Sequence, residues 1–224
     1  MSATEIRDLA RRAGITAGVS VLDLCCGVAG PGRLITSELG CTYLGVDYSA
    51  DALAIARERA GSLPCRFELA RVPPVPEGPV DVVLLLEVML AFADKEELVR
   101  GVAGALAPGG RFAFTLEEGA PLSPTERERM PDADTVWLTP LAEIHALLDG
   151  AGLTVRSEIE SSRAHRAVAD ALIDAFTADG AEITAQIGQR ALDELVGAHR
   201  LWSEWLASGR VRKLAIVAER AAAG

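Results

Sequence analysis

Short apolar runs alternate with segments of helical periodicity along most of the chain. Seven apolar runs predict β-strands, at residues 19 to 24, 42 to 47, 65 to 69, 80 to 86, 111 to 116, 153 to 160 and 211 to 218. The run at 80 to 86 is apolar except for Asp81, which is typical of a strand covered on both faces. The pattern therefore predicts an α/β fold in which helices cover a central sheet.

Residues suited to cap helices mark several helix boundaries. Ser49 is a good N-cap for the helix after the second strand, and Asp94 with Glu97 forms a pair resembling a capping box. Thr139 precedes a proline and is predicted to cap a helix whose first position is that proline. Residues 117 to 138 are rich in Pro, Glu, Ser and Thr, and we predict that they form a loop.

The stretch between the sixth and seventh strands, residues 161 to 208, is much longer than a hairpin connection. It predicts two helices, roughly 162 to 178 and 181 to 207, each with an apolar stripe. We therefore predict a main domain formed by residues 1 to 160 and 209 to 224, with 161 to 208 as a helical insertion. The helix predicted before the first strand is short. We therefore expect the insertion to shield most of a ligand-binding site from solvent.

Composition and charge limit the classes of partner. The chain has 224 residues and a formal charge of 22 − 32 = −10, which repels nucleic acids and anionic membranes. No apolar run reaches about 18 residues, so we expect a cytoplasmic protein without a membrane span. The basic clusters at 11 to 12 and 210 to 213 are interpreted as solvated. The four cysteines lack zinc-type spacing, so no metal site is predicted. The apolar face of the insertion could support a homodimer, and the sequence does not decide whether it does.

A glycine-bearing turn follows the first strand, in the segment Val-Leu-Asp-Leu-Cys-Cys-Gly-Val-Ala-Gly-Pro-Gly at residues 21 to 32. The second strand ends on Asp47. In dinucleotide-binding folds an acidic residue at this position binds the ribose hydroxyls. A nucleoside cofactor is indicated. A pyrophosphate fits poorly beside the Asp23 carboxylate, and Cys25 replaces the first glycine of the dinucleotide pattern. S-adenosylmethionine (SAM) carries an ammonium and a sulfonium, which suit an acidic turn.

Residues 21 to 32 resemble motif I of the class I SAM-dependent methyltransferases, usually written (V/L)LDxGxGxG. Three further segments follow in the family's order: 44 to 49 is similar to the GxDxS end of strand two, 80 to 86 to strand four, and 106 to 110 to the LxPGG turn before strand five. The resemblance covers roughly residues 15 to 118. It implies a doubly wound, Rossmann-like, mainly parallel seven-stranded sheet with an antiparallel seventh strand.

The resemblance also implies roles for residues near the turn. The loop that includes Asp23, Cys25 and Gly27 should wrap the methionine portion of SAM, with Asp23 meeting its ammonium directly or through water. Asp47 should accept hydrogen bonds from both ribose hydroxyls, and Tyr48 should lie on the adenine.

The chain departs from the family pattern at two places. Arg71 stands where the family often has an Asp after strand three, so we expect the Val72 backbone to read the adenine edge and Arg71 to stack on the ring. Glu87 follows strand four, where some methyltransferases carry the D/N-P-P-Y motif. A role for Glu87 at the cofactor or the acceptor is expected from its position at the carboxyl edge of the sheet.

The acceptor side offers few candidates for proton transfer. A base is needed only if the acceptor loses a proton early, and His165, His199 and Glu117 are the candidates. For each histidine a buried structural role is favoured over a catalytic one, because any core-facing helix position shows the same pattern. Trp202 and Trp205 lie three positions apart, so they either anchor the insertion in a core or form a wall of the acceptor pocket.

These observations predict a SAM-dependent methyltransferase that acts on a small, moderately apolar metabolite and releases S-adenosylhomocysteine. The insertion, with residues 118 to 138, should form the acceptor lid. Three alternatives stay open: a protein or nucleic-acid methyltransferase of the same fold, a nicotinamide oxidoreductase, and a SAM-binding protein that transfers no methyl group. The sequence identifies neither the acceptor nor the atom that is methylated.

Overall fold

A computed structural model describes residues 1–222 and shows one seven-stranded sheet. Its strands are β1 Ser20–Leu24, β2 Thr42–Asp47, β3 Cys65–Leu69, β4 Val80–Leu85, β5 Leu106–Glu118, β6 Leu153–Glu160 and β7 Arg212–Arg220. Their order is β3-β2-β1-β4-β5-β7-β6, and β7 runs antiparallel to both of its neighbours. The predicted fold class is confirmed. Residues 223 and 224 of the predicted main domain lie outside the described residues.

Nine α-helices accompany the sheet within the described residues. They are α1 Ala3–Arg12, α2 Gly30–Leu39, α3 Ala50–Ala60, α4 Lys95–Ala105, α5 Pro124–Arg129, α6 Leu141–Gly150, α7 Ser162–Ala178, α8 Gly180–Ile187 and α9 Gln189–Ser208. Two predicted caps are confirmed: the Ser49 hydroxyl accepts from the Ala52 amide, and the Asp94 carboxylate accepts from the Glu97 amide.

The cap predicted at Thr139 is wrong. Helix α6 begins one residue after Pro140, and no side chain of Pro140 or Thr139 caps it. Instead, Glu118 at the end of β5 accepts a hydrogen bond of 3.2 Å from the Leu141 amide. A tertiary contact therefore satisfies a helix-end donor that the local sequence leaves open.

The predicted loop at residues 117 to 138 contains more order than its composition indicates. Strand β5 continues to Glu118 because it pairs with β7 as far as Arg212. Helix α5 then begins at a capping box in which Ser123 and Glu126 bind each other's backbone amides.

The insertion has three helices, one more than predicted. The second predicted helix is divided at Gly188, whose φ of 84° and ψ of 155° lie outside the helical region. Only glycine adopts such a conformation readily, so the chain turns there and α9 starts in a new direction. Helices α7 and α9 then pack against each other.

Side chains of alternate strand residues divide the core into two layers. One layer includes Leu24, Leu85 and the stacked pair Phe112 and Phe114, whose ring centroids are 4.5 Å apart. The opposite layer packs against α1 and α2 and includes Tyr43, Val82 and Leu84. Because helices cover both faces, ligands can reach the strands mainly at the sheet edges, and the carboxyl ends of β1, β2, β4 and β5 share one edge.

Candidate functional site

The turn after β1 places its backbone in an unusual conformation at every second residue. Cys25, Gly27 and Ala29 have φ values of 57°, 53° and 54°, in the left-handed region. These are the three positions at which the resembled motif has glycine, and here only the middle one is glycine. A Cβ added at Gly27 or Gly30 would meet no atom within 4 Å, so the turn presents open backbone to its surroundings.

Cys25 behaves as a small neutral residue of this turn. Burial, reinforced by the negative charges of Asp47 and Asp23, raises the pKa of the Cys25 thiol to about 11. A thiol of this kind stays protonated near neutral pH and is a poor nucleophile.

Tyr43 fills the space beneath the turn. Its hydroxyl donates a hydrogen bond of 2.6 Å to Asp23, and its ring lies so close to Gly32 that an added Cβ would stand 2.1 Å from a ring carbon. Gly32 is therefore required by Tyr43 rather than by a ligand. Burial raises the pKa of Asp23 to about 7, the Tyr43 hydrogen bond opposes this rise, and the charge of Asp47 adds to it.

Asp47 ties the turn to the start of α3. One carboxylate oxygen accepts from the Gly27 amide and the other from the Ser49 amide, each at 2.8 Å. The residue is only 7% exposed. Each oxygen still has a free lone pair, so the group can bind a further donor while it fixes both loops.

Tyr48 and Arg71 lie together at the outer end of this edge. Tyr48 is 67% exposed, and the Arg71 guanidinium carbon is 5.4 Å from the centre of its ring. Val72 is half-buried beside them. Arg71 thus stacks on a side chain of the protein, and a flat ligand would share or displace this contact.

A cavity of about 400 Å³ opens at the turn, and we call it the turn cavity. Its lining residues are Met1, Ile6, Asp23, Cys25, Cys26, Gly30, Pro31, Leu86 and Glu87. The N-terminal segment contributes two of them, Met1 and Ile6. The expectation that cover comes mainly from the insertion is therefore wrong on this side of the site.

A second cavity of about 360 Å³ lies under the insertion, and we call it the insertion cavity. Its lining residues are Met1, Glu87, Leu90, Glu117, His165, Val168, Ala169, Leu172, His199 and Trp202. Met1 and Glu87 line both cavities, so the two spaces meet at the end of β4. The three residues predicted as bases, His165, His199 and Glu117, all line this one space.

Glu87 occupies the junction in a strained backbone conformation, with a φ of 63°. Its amide donates a 2.6 Å hydrogen bond to the hydroxyl of buried Thr115. Its side chain is 35% exposed and lies 2.9 Å from the Lys213 ammonium. Burial alone would raise the pKa of Glu87, but the Lys213 charge outweighs it, so the pKa is lower than usual and the carboxylate is ionised.

Lys213 is a functional-site residue that the sequence analysis missed. The solvated interpretation of residues 210 to 213 is wrong for this residue, which is 1% exposed and pairs with both Glu117 and Glu87. Strand β7 runs antiparallel, so its first residues reach the edge where β4 and β5 end. Burial would lower the pKa of Lys213, but the two carboxylates raise it above its ordinary value. Lys213 directly precedes the apolar run 214 to 218, most of which is buried, and a lysine at the start of such a strand is the signal that could have identified it.

His165 completes this group of side chains. Its Nδ1 lies 3.9 Å from Glu87 and its Nε2 3.9 Å from Glu117, both beyond hydrogen-bond distance. Burial and the Lys213 charge lower the pKa of His165 more than the carboxylates raise it. The imidazole is therefore neutral near pH 7. We call Glu87, Glu117, His165 and Lys213 the charged cluster.

Three members of the charged cluster, Glu87, Glu117 and His165, offer ligand atoms within 4.8 Å of one another, a grouping that could hold a metal ion. The sequence analysis predicted no metal site and did not identify this grouping. Lys213 bonds to both carboxylates, so its ammonium already supplies positive charge at the place that a cation would take.

The comparisons with known proteins agree on one family. Residues 22–114 match a family model described as a methyltransferase domain. An uncharacterized methyltransferase of Synechocystis is 32% identical over 153 residues, which cover 63% of this chain and 69% of that protein. The chain belongs to the class I SAM-dependent methyltransferase family. Methyltransferase GfsG of Streptomyces halstedii is 34% identical over 112 residues. The matched segment covers 47% of this chain and 40% of that relative's length.

A solved structure shows the same fold over nearly the whole chain. Phosphoethanolamine N-methyltransferase 2 of Haemonchus contortus, in complex with phosphomonomethylethanolamine and S-adenosylhomocysteine, has a TM-score of 0.84. The match covers 97% of this methyltransferase and 52% of that chain, at 21% identity. Within the described residues of this methyltransferase, no helix has both the length and the apolar character that a bilayer span requires.

The two tryptophans of the insertion have different surroundings in this methyltransferase. Trp205 is 3% exposed and packs in a core with Leu122, Met130 and Leu138 from the segment after β5. Trp202 lines the insertion cavity, with its ring 5.4 Å from that of Trp205. Trp205 therefore anchors the insertion in a core, whereas Trp202 packs against the same core and also lines the insertion cavity.

Proposed function

We propose that this methyltransferase moves a methyl group from SAM to a small, moderately apolar molecule. The observation that carries the proposal is the junction at Glu87, where the acidic turn cavity opens beside the insertion cavity, whose wall is part apolar and part polar. Two cavities that share one wall suit a donor and an acceptor that must meet. Neither cavity is large enough for a folded polymer, and the charge of −10 disfavours polyanions.

The residues at the turn suit SAM. Asp23 and Glu87 give the turn cavity negative charge for a ligand with an ammonium and a sulfonium. The open backbone at Gly27 and Gly30 allows close approach. We assign Asp47 to the ribose, and Tyr48, Arg71 and Val72 to the adenine. Cys25 lines the cavity beside the methionine portion.

When bound, SAM supplies an activated methyl group whose carbon accepts the acceptor's lone pair while the C–S bonding pair stays on sulfur. The chain's own work is then to position the acceptor and exclude water. For an acceptor that must lose a proton, His165 is neutral and half-buried near the junction. His199 is a second candidate: its Nδ1 lies 2.7 Å from the Leu195 carbonyl, which fixes the hydrogen on Nδ1 and leaves Nε2 free to accept.

Calorimetry with SAM, S-adenosylhomocysteine and NAD tests the cofactor assignment. We expect both sulfur nucleosides to bind and NAD to bind at least about a hundredfold more weakly, because its pyrophosphate would face Asp23 and Glu87. Preference for NAD would overturn the proposal. Mass spectrometry with SAM and a panel of small apolar amines, phenols and acids then tests transfer. If SAM binds but no acceptor gains a methyl group, a non-methylating SAM-binding role is supported instead.

A further inference from the structure

The insertion cavity has an uneven distribution of charge. Among its described lining residues are two carboxylates, Glu87 and Glu117, and two histidines, but no lysine or arginine. The Lys213 ammonium is buried and pairs with both of these carboxylates. Met1 also lines the cavity, and its α-ammonium acts on Glu87 and His165. A cationic acceptor finds two carboxyl groups on the cavity wall, whereas an anionic acceptor finds no lysine or arginine there.

The charged cluster has more carboxyl groups than cationic side chains. Glu87 and Lys213 are ionised at neutral pH by their mutual attraction, and buried Glu117 lies beside the same ammonium. His165 is neutral there, and the α-ammonium of Met1 adds positive charge near Glu87 and His165. Asp23, on the other side of the junction, provides the carboxylate closest to the glycine turn. Of the two cluster carboxyl groups, Glu87 is the more accessible, with 35% of its side chain exposed.

Glu117 shows where the missing partner belongs. Its Oε1 pairs with Lys213, but its Oε2 has no hydrogen-bond partner within the described residues although the residue is only 4% exposed. A buried carboxylate oxygen without a donor is costly, because it has lost water and gained nothing in return. Glu117 lines the insertion cavity and does not line the turn cavity. Because Oε2 itself has almost no accessible surface, a donor in the insertion cavity reaches it only when the Glu117 side chain turns toward that cavity.

From the unpartnered Glu117 oxygen and the two carboxyl groups on the wall of the insertion cavity, we infer that the acceptor is a small apolar amine whose N–H groups bind Glu117 and Glu87. This inference rests on the proposed function and narrows it. Before transfer the bound ammonium must lose one proton, and neutral His165 on the same cavity wall can take it. The lone pair freed on nitrogen can then bond to the methyl carbon while the C–S bonding pair stays on sulfur. The apolar part of the amine lies against Val168, Leu172 and Trp202. Acceptors that carry a carboxylate or a phosphate are excluded by the same charges, and alcohols bind without the ionic contribution.

The test compares three probes with one carbon skeleton: 3-phenylpropylamine, 3-phenylpropan-1-ol and 3-phenylpropionate. Calorimetry is done on the full chain saturated with S-adenosylhomocysteine. We expect the amine to bind at least about tenfold more tightly than the alcohol, and the carboxylate to bind more weakly than both. Equal affinities for amine and alcohol, or tightest binding of the carboxylate, would overturn the inference.

Variants locate the contact. Glu117→Gln and Glu87→Gln should each lower the affinity for the amine probe by about tenfold and change the affinity for the alcohol by less than about twofold. Glu96→Gln, the same chemical change at an exposed helical residue, is the control and should change neither. If Glu117→Gln does not fold, Glu87→Gln and the three-probe comparison on the unmodified chain still test whether carboxylates recognise the amine. Amine affinity unchanged in both variants would remove the carboxylates from recognition.

Two further outcomes separate this inference from its foundation. If S-adenosylhomocysteine and SAM both fail to bind, the proposed function fails first. If they bind and the amine shows no preference, only the inference fails. Magnesium chloride alone provides a last arm: stabilisation by Mg²⁺ that is lost in Glu117→Gln would show a metal site and overturn the amine assignment.

Discussion

At the scale of single residues, Asp23 links SAM binding to pH. Its pKa of about 7 means that a large fraction of the ligand-free chain carries a protonated Asp23 at neutral pH, and a cationic ligand favours the ionised form. We therefore expect SAM affinity to fall by up to about tenfold per pH unit below about pH 7 and to level off above it. Calorimetry between pH 5.5 and 8.5 measures this profile, and a flat profile would contradict it.

The control for this prediction is Asp23→Asn, in which the dependence should disappear. Protonation of Asp23 affects folding stability in the opposite direction from SAM affinity. Because the pKa of Asp23 is raised from 3.8 to about 7, the folded chain holds a proton that the unfolded chain has lost. This stabilising contribution is complete below about pH 4 and is lost as the pH rises through about 7, which denaturant unfolding of the ligand-free chain can follow.

Asp47 has two tasks that one substitution separates. Asp47→Ala should weaken SAM binding by roughly 1.5 to 3 kcal/mol through lost charge-assisted hydrogen bonds to the ribose. Because the carboxylate also holds the Gly27 and Ser49 amides, the variant should lose about 1 to 3 kcal/mol of folding stability as well. Asp47→Asn keeps one acceptor oxygen and should show a smaller loss of both. An unchanged dissociation constant in folded Asp47→Ala would remove Asp47 from the ribose site.

At the scale of elements, α9 carries one tryptophan that supports the fold and one that faces a cavity. Trp205→Ala should lower the free energy of unfolding by about 3 to 5 kcal/mol, because it empties a position in a closed apolar core. Trp202→Ala should lower the free energy of unfolding by less than Trp205→Ala does. It should instead lower the affinity for the phenylpropyl probes. Denaturant unfolding and probe calorimetry on both variants separate the roles, and the reverse ranking of stabilities would contradict this assignment.

For the whole molecule, the tip of the insertion should be separable from the SAM-binding edge. Arg166 on α7 lies 3.4 Å from Ser203 on α9, so the two helices are close at that level and a short turn can join them. Replacing residues 171 to 199 with a Gly-containing turn removes Leu172 and His199 but keeps the Trp205 core.

We expect this shortened protein to bind SAM within about tenfold of the original affinity and to lose methyl transfer by about a hundredfold or more. Circular dichroism checks that the sheet is retained. Full transfer activity in a folded shortened protein would mean that the insertion cavity does not hold the acceptor.

The sequence by itself determined the strands, most helix ends and the methyltransferase motif. These features depend on periodicity, capping and turn chemistry within a few residues, as at Ser49 and Asp94, and such interactions keep their form wherever the segment is placed. The glycine turn and Asp47 were found for the same reason, since their spacing along the chain already fixes their positions on adjacent parallel strands.

Only the tertiary structure decided what these elements bring together. Lys213 meets Glu87, Glu117 and His165 because β7 is antiparallel and inserted between β5 and β6, and residues from four elements then share one sheet edge. No local pattern records that meeting. The burial of a charge depends on which distant carboxylates surround it, and this depends on the fold as a whole.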